Sequence, residues 1–449
     1  MTRVEIKPEP CGCSPAERLH GLSPYEPPTT SPLVDLVLDA NEGAAPCEAL
    51  AALLSSIDAE ELRRYPSTSE LERVLADKHG IDAERVVVTN GADDAIDRVC
   101  RAVLEPGRAA VLHCPTFEMI ERSARLADGE VRSVEWLDGT FPAQECVGEI
   151  SRDTSLVALV SPNNPTGAVI PLADMVEVAR ASRRADALVL VDLAYVEFAD
   201  EDPTRELLDE PNVVVIRTFS KAMGLAGARV GYALAPPDVA RWLRTTGGPY
   251  PVSAVSVALA VASLRSADER ALYINTVRSG REALTSALRQ LDCEVLDSHA
   301  NFVTARFPGA SFVQDSLSSL GIAVRAFAPS RPELDGFLRI TLPGDQDALD
   351  RLIAALRTIL APEAVLFDLD ASAPPTPEAL QRVLGELGVG RAWMIGDTPD
   401  AMAASRAAGM LPIGLIAPED DTTKTRDAMR RAGAALVIGE VSQIGEMIR

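Results

Sequence analysis

A chain of 449 residues, 47% hydrophobic and 24% charged, has the length for two or three globular domains and apolar side chains enough to bury their cores. A formal net charge of -23 excludes nucleic acid or anionic membrane held against a basic face, and no apolar run reaches membrane-span length. The seven cysteines (Cys11, Cys13, Cys47, Cys100, Cys114, Cys146, Cys293) are odd in number and scattered, as in a reduced, cytoplasmic protein.

Residues 1–32, rich in Pro, Ser and Glu, read as an extended arm without the apolar stretch of a secretory signal. Cys11 and Cys13 lie there as a close pair, but no matching Cys or His pair follows at zinc spacing, so no metal is expected. From about residue 85, short apolar runs alternate with helical stretches. RVVVTN, AAVLHCP, SLVALVSP, DALVLVD and NVVVIRT are each bounded by Gly, Pro or Asn, as buried parallel strands tend to be. DDAIDRVCRAVLE and LADMVEVARASRRA are the helices between them. The pattern predicts an α/β doubly wound domain over 33–250. Residues 253–295 read as long helix, and strands near NFVTARF, GIAVRAF and GFLRITL with the helix DQDALDRLIAALRTIL predict a smaller α+β domain over 251–361. A fresh α/β unit begins near AVLFDLD and occupies 362–449.

Five segments stand at or just past the ends of predicted strands, where open parallel sheets bind ligands. They are TNGADDAI (89–96), HCPTFEM (113–119), SPNNPTG (161–167), VDLAYVEF (191–198) and RTFSKAMGLAGARVGY (217–232). Each alone could be a turn, a helix cap or a strand end. In order they supply a helix N-terminus, an aromatic, an Asn, an Asp with a Tyr, and a Lys with an Arg. Pyridoxal 5'-phosphate needs such a set: an amine for its aldehyde, an anion beside its ring nitrogen, donors at its hydroxyl, a flat cover and a phosphate cup. Lys221 is one of only four lysines, with Lys7, Lys78 and Lys424. His113 reads more readily as a hydrogen-bonded strand-end residue than as part of the site.

PY at 24–25, RYP at 64–66, NG-x-D at 90–93, PTF, SPNNPTG, D-x-AY-x-EF, SK-x-x-GLAG-x-R-x-GY, PYPVS and LRIT occur in one order. With these matches, residues 20–360 resemble the fold type I class I/II aminotransferases, nearest the histidinol-phosphate aminotransferase branch. The resemblance implies that Lys221 bonds the cofactor aldehyde and shuttles a proton. It places Asp192 against the ring nitrogen, Asn164 and Tyr195 at the ring hydroxyl, and Phe117 over the ring. The backbone of Ala92 and Asp93 with Thr218, Ser220 and Arg229 would hold the phosphate. Tyr65 would reach the phosphate of a neighbouring subunit, which implies a homodimer with shared sites. For substrate, the resemblance implies Arg339 on a carboxylate, Arg325 and Tyr25 on a distal phosphate, and Asn41 nearby. Three departures are expected on the substrate side. LDANEGAAP (38–46) keeps Asn41 and Glu42 but loses the proline of N-x-NENP, Ile120 replaces an aromatic, and Leu193 replaces an acid.

AVLFDLD (364–370) and WMIGDTPDAMAASRAAGMLPIGL (393–415) resemble the first and last motifs of haloacid-dehalogenase-like phosphatases. Asp368, Asp370 and Asp397 remain, but Pro374 takes the place of the lysine, Ala401 that of an acid, and the cap is missing. The resemblance implies a truncated, inactive module, with a residual Mg²⁺ site at Asp368 and Asp397 as the alternative. The activity expected of the whole chain is transfer of an amino group between an amino acid or amine and a 2-oxo acid. Its rival is another reaction of the same cofactor: β- or γ-elimination, replacement or decarboxylation.

Overall fold

The computed structural model describes residues 14–25, 31–46, 48–265, 267–368, 375–416, 420 and 422–444. Cys11, Cys13, Cys47, Asp370 and Pro374 lie outside the described residues. In chain order the strands are β1 (Leu36–Leu38), β2 (Val86–Thr89), β3 (Ala109–Cys114), β4 (Glu130–Glu135), β5 (Thr154–Val160), β6 (Leu188–Asp192), β7 (Val213–Thr218) and β8 (Gly231–Leu234). They continue as β9 (Glu294–Val295), β10 (Phe302–Arg306), β11 (Ile322–Ala326), β12 (Phe337–Thr341), β13 (Ala364–Asp368), β14 (Ala392–Gly396), β15 (Leu411–Leu415) and β16 (Leu436–Ile438).

The central sheet runs β2-β8-β7-β6-β5-β3-β4, and all its neighbours are parallel except the two pairs that β8 makes. TSLVALV, LVLVD and VVVIRT are buried along their whole length, because helices cover both faces of the sheet. Alternate residues feed two cores: Val88, Val111, Val157 and Val189 on one face, Val87, Ala110, Leu156 and Leu190 on the other. The helices Gly91–Val103 and Leu172–Arg184 run back over these faces.

A second sheet has the order β1-β11-β12-β10-β9, antiparallel except for the pair β1 and β11. Its leading segment differs from the long helix expected over 253–295. Helix occupies Ala254–Arg265 and Ala267–Gln290, and the last residues become β9. Asp292, at φ 57, reverses the chain there, and Cys293 N bonds back to Leu288 O at 3.1 Å.

β13, β14, β15 and β16 form a parallel sheet in chain order. One face carries the unit's own small clusters, around Met402 and Met429 and around Met394 and Met410, and the other face is shared. Trp393, Ile395, Leu411 and Ile413 share one apolar cluster with Val313, Leu317, Leu352 and Leu356 of the helices Ala310–Ser319 and Gln346–Leu360. Trp393 is fully buried, edge-on to Phe312 at 5.6 Å, and its Nε1 donates to Thr358 O at 2.8 Å. The unit is therefore a third layer on the second sheet's helices.

Candidate active site

The carboxyl ends of β5, β6 and β7, the start of the helix Gly91–Val103 and the exits of β1, β11 and β12 surround a cavity of about 500 Å³. Tyr25, Asn41, Ala92, Asp93, Phe117, Asn164, Asp192, Tyr195, Thr218, Ser220, Lys221, Arg229, Arg325 and Arg339 all line it. Tyr65 does not. It is 80% exposed and stacked on Tyr250 with ring centres 4.4 Å apart.

Asp192 ends β6 and is 3% exposed. Burial pushes its carboxyl up to about 7, against the pull of the Ala194 N–H that donates to Oδ1 at 3.0 Å. It forms no ion pair among the described residues. Lys221 Nζ donates to Ala40 O at 3.2 Å and stands 5.5 Å from the centre of the Tyr195 ring. Tyr195 is buried, and its hydroxyl accepts from Asn41 Nδ2 at 3.1 Å. Asn164 Oδ1 accepts from Arg339 Nη1 at 2.6 Å, while Arg339 Nη2 donates to Asp39 O at 2.8 Å. That leaves the buried Nε of Arg339 without a partner.

At the other end, Thr218 Oγ1 donates to Ser220 Oγ at 3.0 Å, and Arg229 Nη2 meets Asp93 Oδ2 at 2.9 Å. Gly91, at φ +80, carries no Cβ because one there would lie 2.7 Å from Arg229 Nη2. Gly231 is equally constrained: a Cβ would come within 2.5 Å of the Gly91 carbonyl carbon. Two glycines from distant segments thus let the helix N-terminus, β8 and Arg229 close on one another.

Two of the expected substrate-side departures lie elsewhere. Ile120 and Leu193 are fully buried in the two cores of the central sheet, with apolar neighbours, and neither lines the cavity. Asn41 does line it, but both ends of its carboxamide are engaged: Oδ1 accepts from Thr341 Oγ1 at 3.0 Å and Nδ2 serves Tyr195. In the same stretch, the absence of a side chain at Gly43 has a geometric reason. A Cβ on Gly43 would lie 2.0 Å from Lys221 O.

His113 is a core residue. Val160 N donates to its Nε2 at 3.1 Å, Trp136 and Phe141 flank the ring, and burial depresses its pKa to about 3. Arg331 is a cavity-lining cation that the sequence reading did not single out. Its Nη1 donates to Thr116 O at 3.2 Å, yet APSRPELDG carries only loop signals.

Residues 34–356 match the family model described as aminotransferase class I and II. The chain belongs to that family. Histidinol-phosphate aminotransferase of Cronobacter sakazakii is 36% identical over 335 residues, covering 72% of this chain and 89% of that protein. Its counterpart in Thermobifida fusca is 37% identical over 338 residues, with the same coverage. The crystal structure of histidinol-phosphate aminotransferase from Sinorhizobium meliloti with pyridoxal 5'-phosphate superposes with a TM-score of 0.65 at 27% identity, covering 72% of this chain and 90% of that one. Amino-group transfer with pyridoxal 5'-phosphate is accordingly the chemistry of this aminotransferase. Its residues fit the cofactor: Asp192 offers a buried carboxyl without a cation, and the glycine-lined cup offers Ser220, Arg229 and a helix N-terminus to a phosphate.

Proposed function

We propose that this aminotransferase takes its amino group from histidinol phosphate or an amine closely like it and delivers it to a 2-oxo acid. The observation that carries the reading is the convergence of Lys221, Asp192 and the Arg339–Asn164 pair on one cavity. The names of the relatives support the substrate. So does Arg325, which lines the same cavity and whose side chain makes no hydrogen bond or ion pair among the described residues. Arg325 and Tyr25 would hold the distal phosphate of the amine, and Arg339 the carboxylate beside the carbonyl of the 2-oxo acid.

Pyridoxal 5'-phosphate, when bound, supplies an aldehyde and an electron sink. Lys221 Nζ moves the proton at the substrate Cα, held near its task by Ala40 O. Asp192 keeps an anion opposite the ring nitrogen. Asn164, with Oδ1 committed to Arg339, and Tyr195 serve the ring hydroxyl. Phe117 covers the ring. Ala92, Asp93, Thr218, Ser220 and Arg229 hold the phosphate. In a cytoplasmic homodimer, Tyr65 of each protomer would reach the phosphate of the other, which accords with its exposure and with its place outside the lining of its own cavity.

The C-terminal unit is proposed as a truncated haloacid-dehalogenase-like module without phosphatase activity. Asp368 ends β13 and Asp397 follows β14, but Ala401 stands where the phosphatases have an acid, and Pro374 where they have the lysine. Mg²⁺-dependent phosphatase turnover that disappears in Asp368→Asn would overturn this part.

The decisive assay incubates the holoprotein with histidinol phosphate and follows conversion of the aldehyde absorbance to that of the amine form, then its reversal by 2-oxoglutarate. Lys221→Ala is expected to abolish the conversion. Conversion by aromatic or acidic amino acids, with none by histidinol phosphate, would sink the substrate assignment and leave the reaction class standing.

A further inference from the structure

The stretch that leaves β1 is the hub of the cavity. Asp39 O accepts from Arg339, Ala40 O accepts from Lys221, and Asn41 holds both the Tyr195 hydroxyl and Thr341. Yet β1 is three residues long, lies at the sheet edge and pairs only with β11. So short an edge strand is weakly held by its own ladder, and a slip of one residue would withdraw all these contacts at once.

Two arginines grip the other end of the pair. Arg351, from the helix Gln346–Leu360, forks onto Asp35 at 2.8 and 2.7 Å and reaches Leu320 O at 3.1 Å. Arg406, from the helix Pro399–Ala407 of the C-terminal unit, donates from Nη2 to Leu33 O and from Nε to Ser319 O, each at 2.7 Å. Ser319 Oγ in turn donates to Gly433 O in the same unit. Leu33 and Asp35 lead into β1, whereas Ser319 and Leu320 lead into β11, whose far end carries Arg325. Both guanidinium groups close on Gly321 at φ +87, where a Cβ would meet Arg351 Nη2 at 2.6 Å and Arg406 Nη2 at 3.4 Å.

We propose that the C-terminal unit serves the aminotransferase site, with Arg406 as a positioning residue that pins the paired starts of β1 and β11. Pinned there, the strands deliver Asp39–Asn41 and Arg325 to the substrate in one register. The two acceptors of Arg406 lie on separate segments, which a planar guanidinium spans and a point-charged ammonium does not. This gives the unit a task in which Asp368 and Asp397 have no part. It rests on the reading of Lys221, Tyr195, Arg325 and Arg339 as the working groups of the cavity.

The test is Arg406→Ala in the full-length holoprotein, read by hydrogen exchange and by steady-state kinetics. Peptides over 33–41 and 319–326 are expected to exchange faster while those of the central sheet do not. The KM for the amine should rise about tenfold with kcat held within about twofold, inside the range that a misplacement of roughly 1 Å can produce. Arg406→Lys should recover only part of both. A folded Arg406→Ala protein with unchanged exchange at β1, or with unchanged KM, overturns the proposal. Should that variant not fold, the same two readings on Arg406→Lys decide, since it keeps the charge and stem but loses the fork across Leu33 O and Ser319 O. Exchange at β1 needs no substrate, so failure of the assigned amine would appear separately, as absent turnover in the wild type.

Discussion

At the carboxyl end of β6, Asp192 couples folding to proton binding. Its pKa is raised by burial from 3.8 to about 7, so the cofactor-free native state carries a proton that the unfolded chain releases. Stability from this group is present in full below 3.8 and is lost as pH rises through about 7, roughly 4 kcal/mol in all. Cofactor-free protein is expected to melt at progressively lower temperature between pH 5 and pH 7, and Asp192→Asn to flatten that slope. Differential scanning fluorimetry across the range checks this, and an unchanged slope in the variant would refute it. At this scale the sequence was most informative about the cofactor end, where the chemistry demands particular residue types within short motifs. Asn41 shows where it stopped. Its partners Tyr195 and Thr341 stand 154 and 300 residues away, so no local pattern announces that its carboxamide is occupied within the protein.

Among the elements, β5, β6 and β7 were legible because burial on both faces leaves an unbroken aliphatic run. β4 reads EVRSVE with only Val134 buried, and β1 is shorter than any usable window, so neither stood out. The segment 39–46 has no regular structure, but it lies against the turn that follows Lys221. Gly43 meets Lys221 O there, and Gly224, at φ +65, would set a Cβ 2.2 Å from Ala44 O. Gly43→Ala is therefore expected to lift the segment off the turn, cost about 2 kcal/mol and lower kcat/KM. Gly148→Ala, where a Cβ meets nothing within 4 Å, should stay within about 0.5 kcal/mol of the wild type. Thermal melts and steady-state kinetics of the two variants make the comparison. Equal behaviour would show that the close approach does not matter.

For the whole molecule, the exposed Tyr65–Tyr250 stack and the shared apolar core of the C-terminal unit are the features to probe. If each site borrows Tyr65 from the other protomer, Lys221→Ala and Tyr65→Ala chains refolded together should regain about a quarter of wild-type activity. Half the dimers are then hybrids, each with one complete site. No regain on mixing would argue that Tyr65 acts, if at all, within its own chain. Trp393→Ala should destabilise the second sheet and the C-terminal unit together by about 3–5 kcal/mol, seen as one melting transition displaced downward. Separate transitions would show that the two fold independently. The sequence by itself determined the family, the cofactor chemistry and a set of side chains that line one cavity, because those groups sit in contiguous motifs whose residue types the reaction requires. Only the tertiary structure decided which departures reach the cavity, how Asn41 and Arg331 are used, and what the C-terminal unit rests on. Each of those depends on contacts between segments far apart in the chain, made by ordinary residues whose meaning is their position.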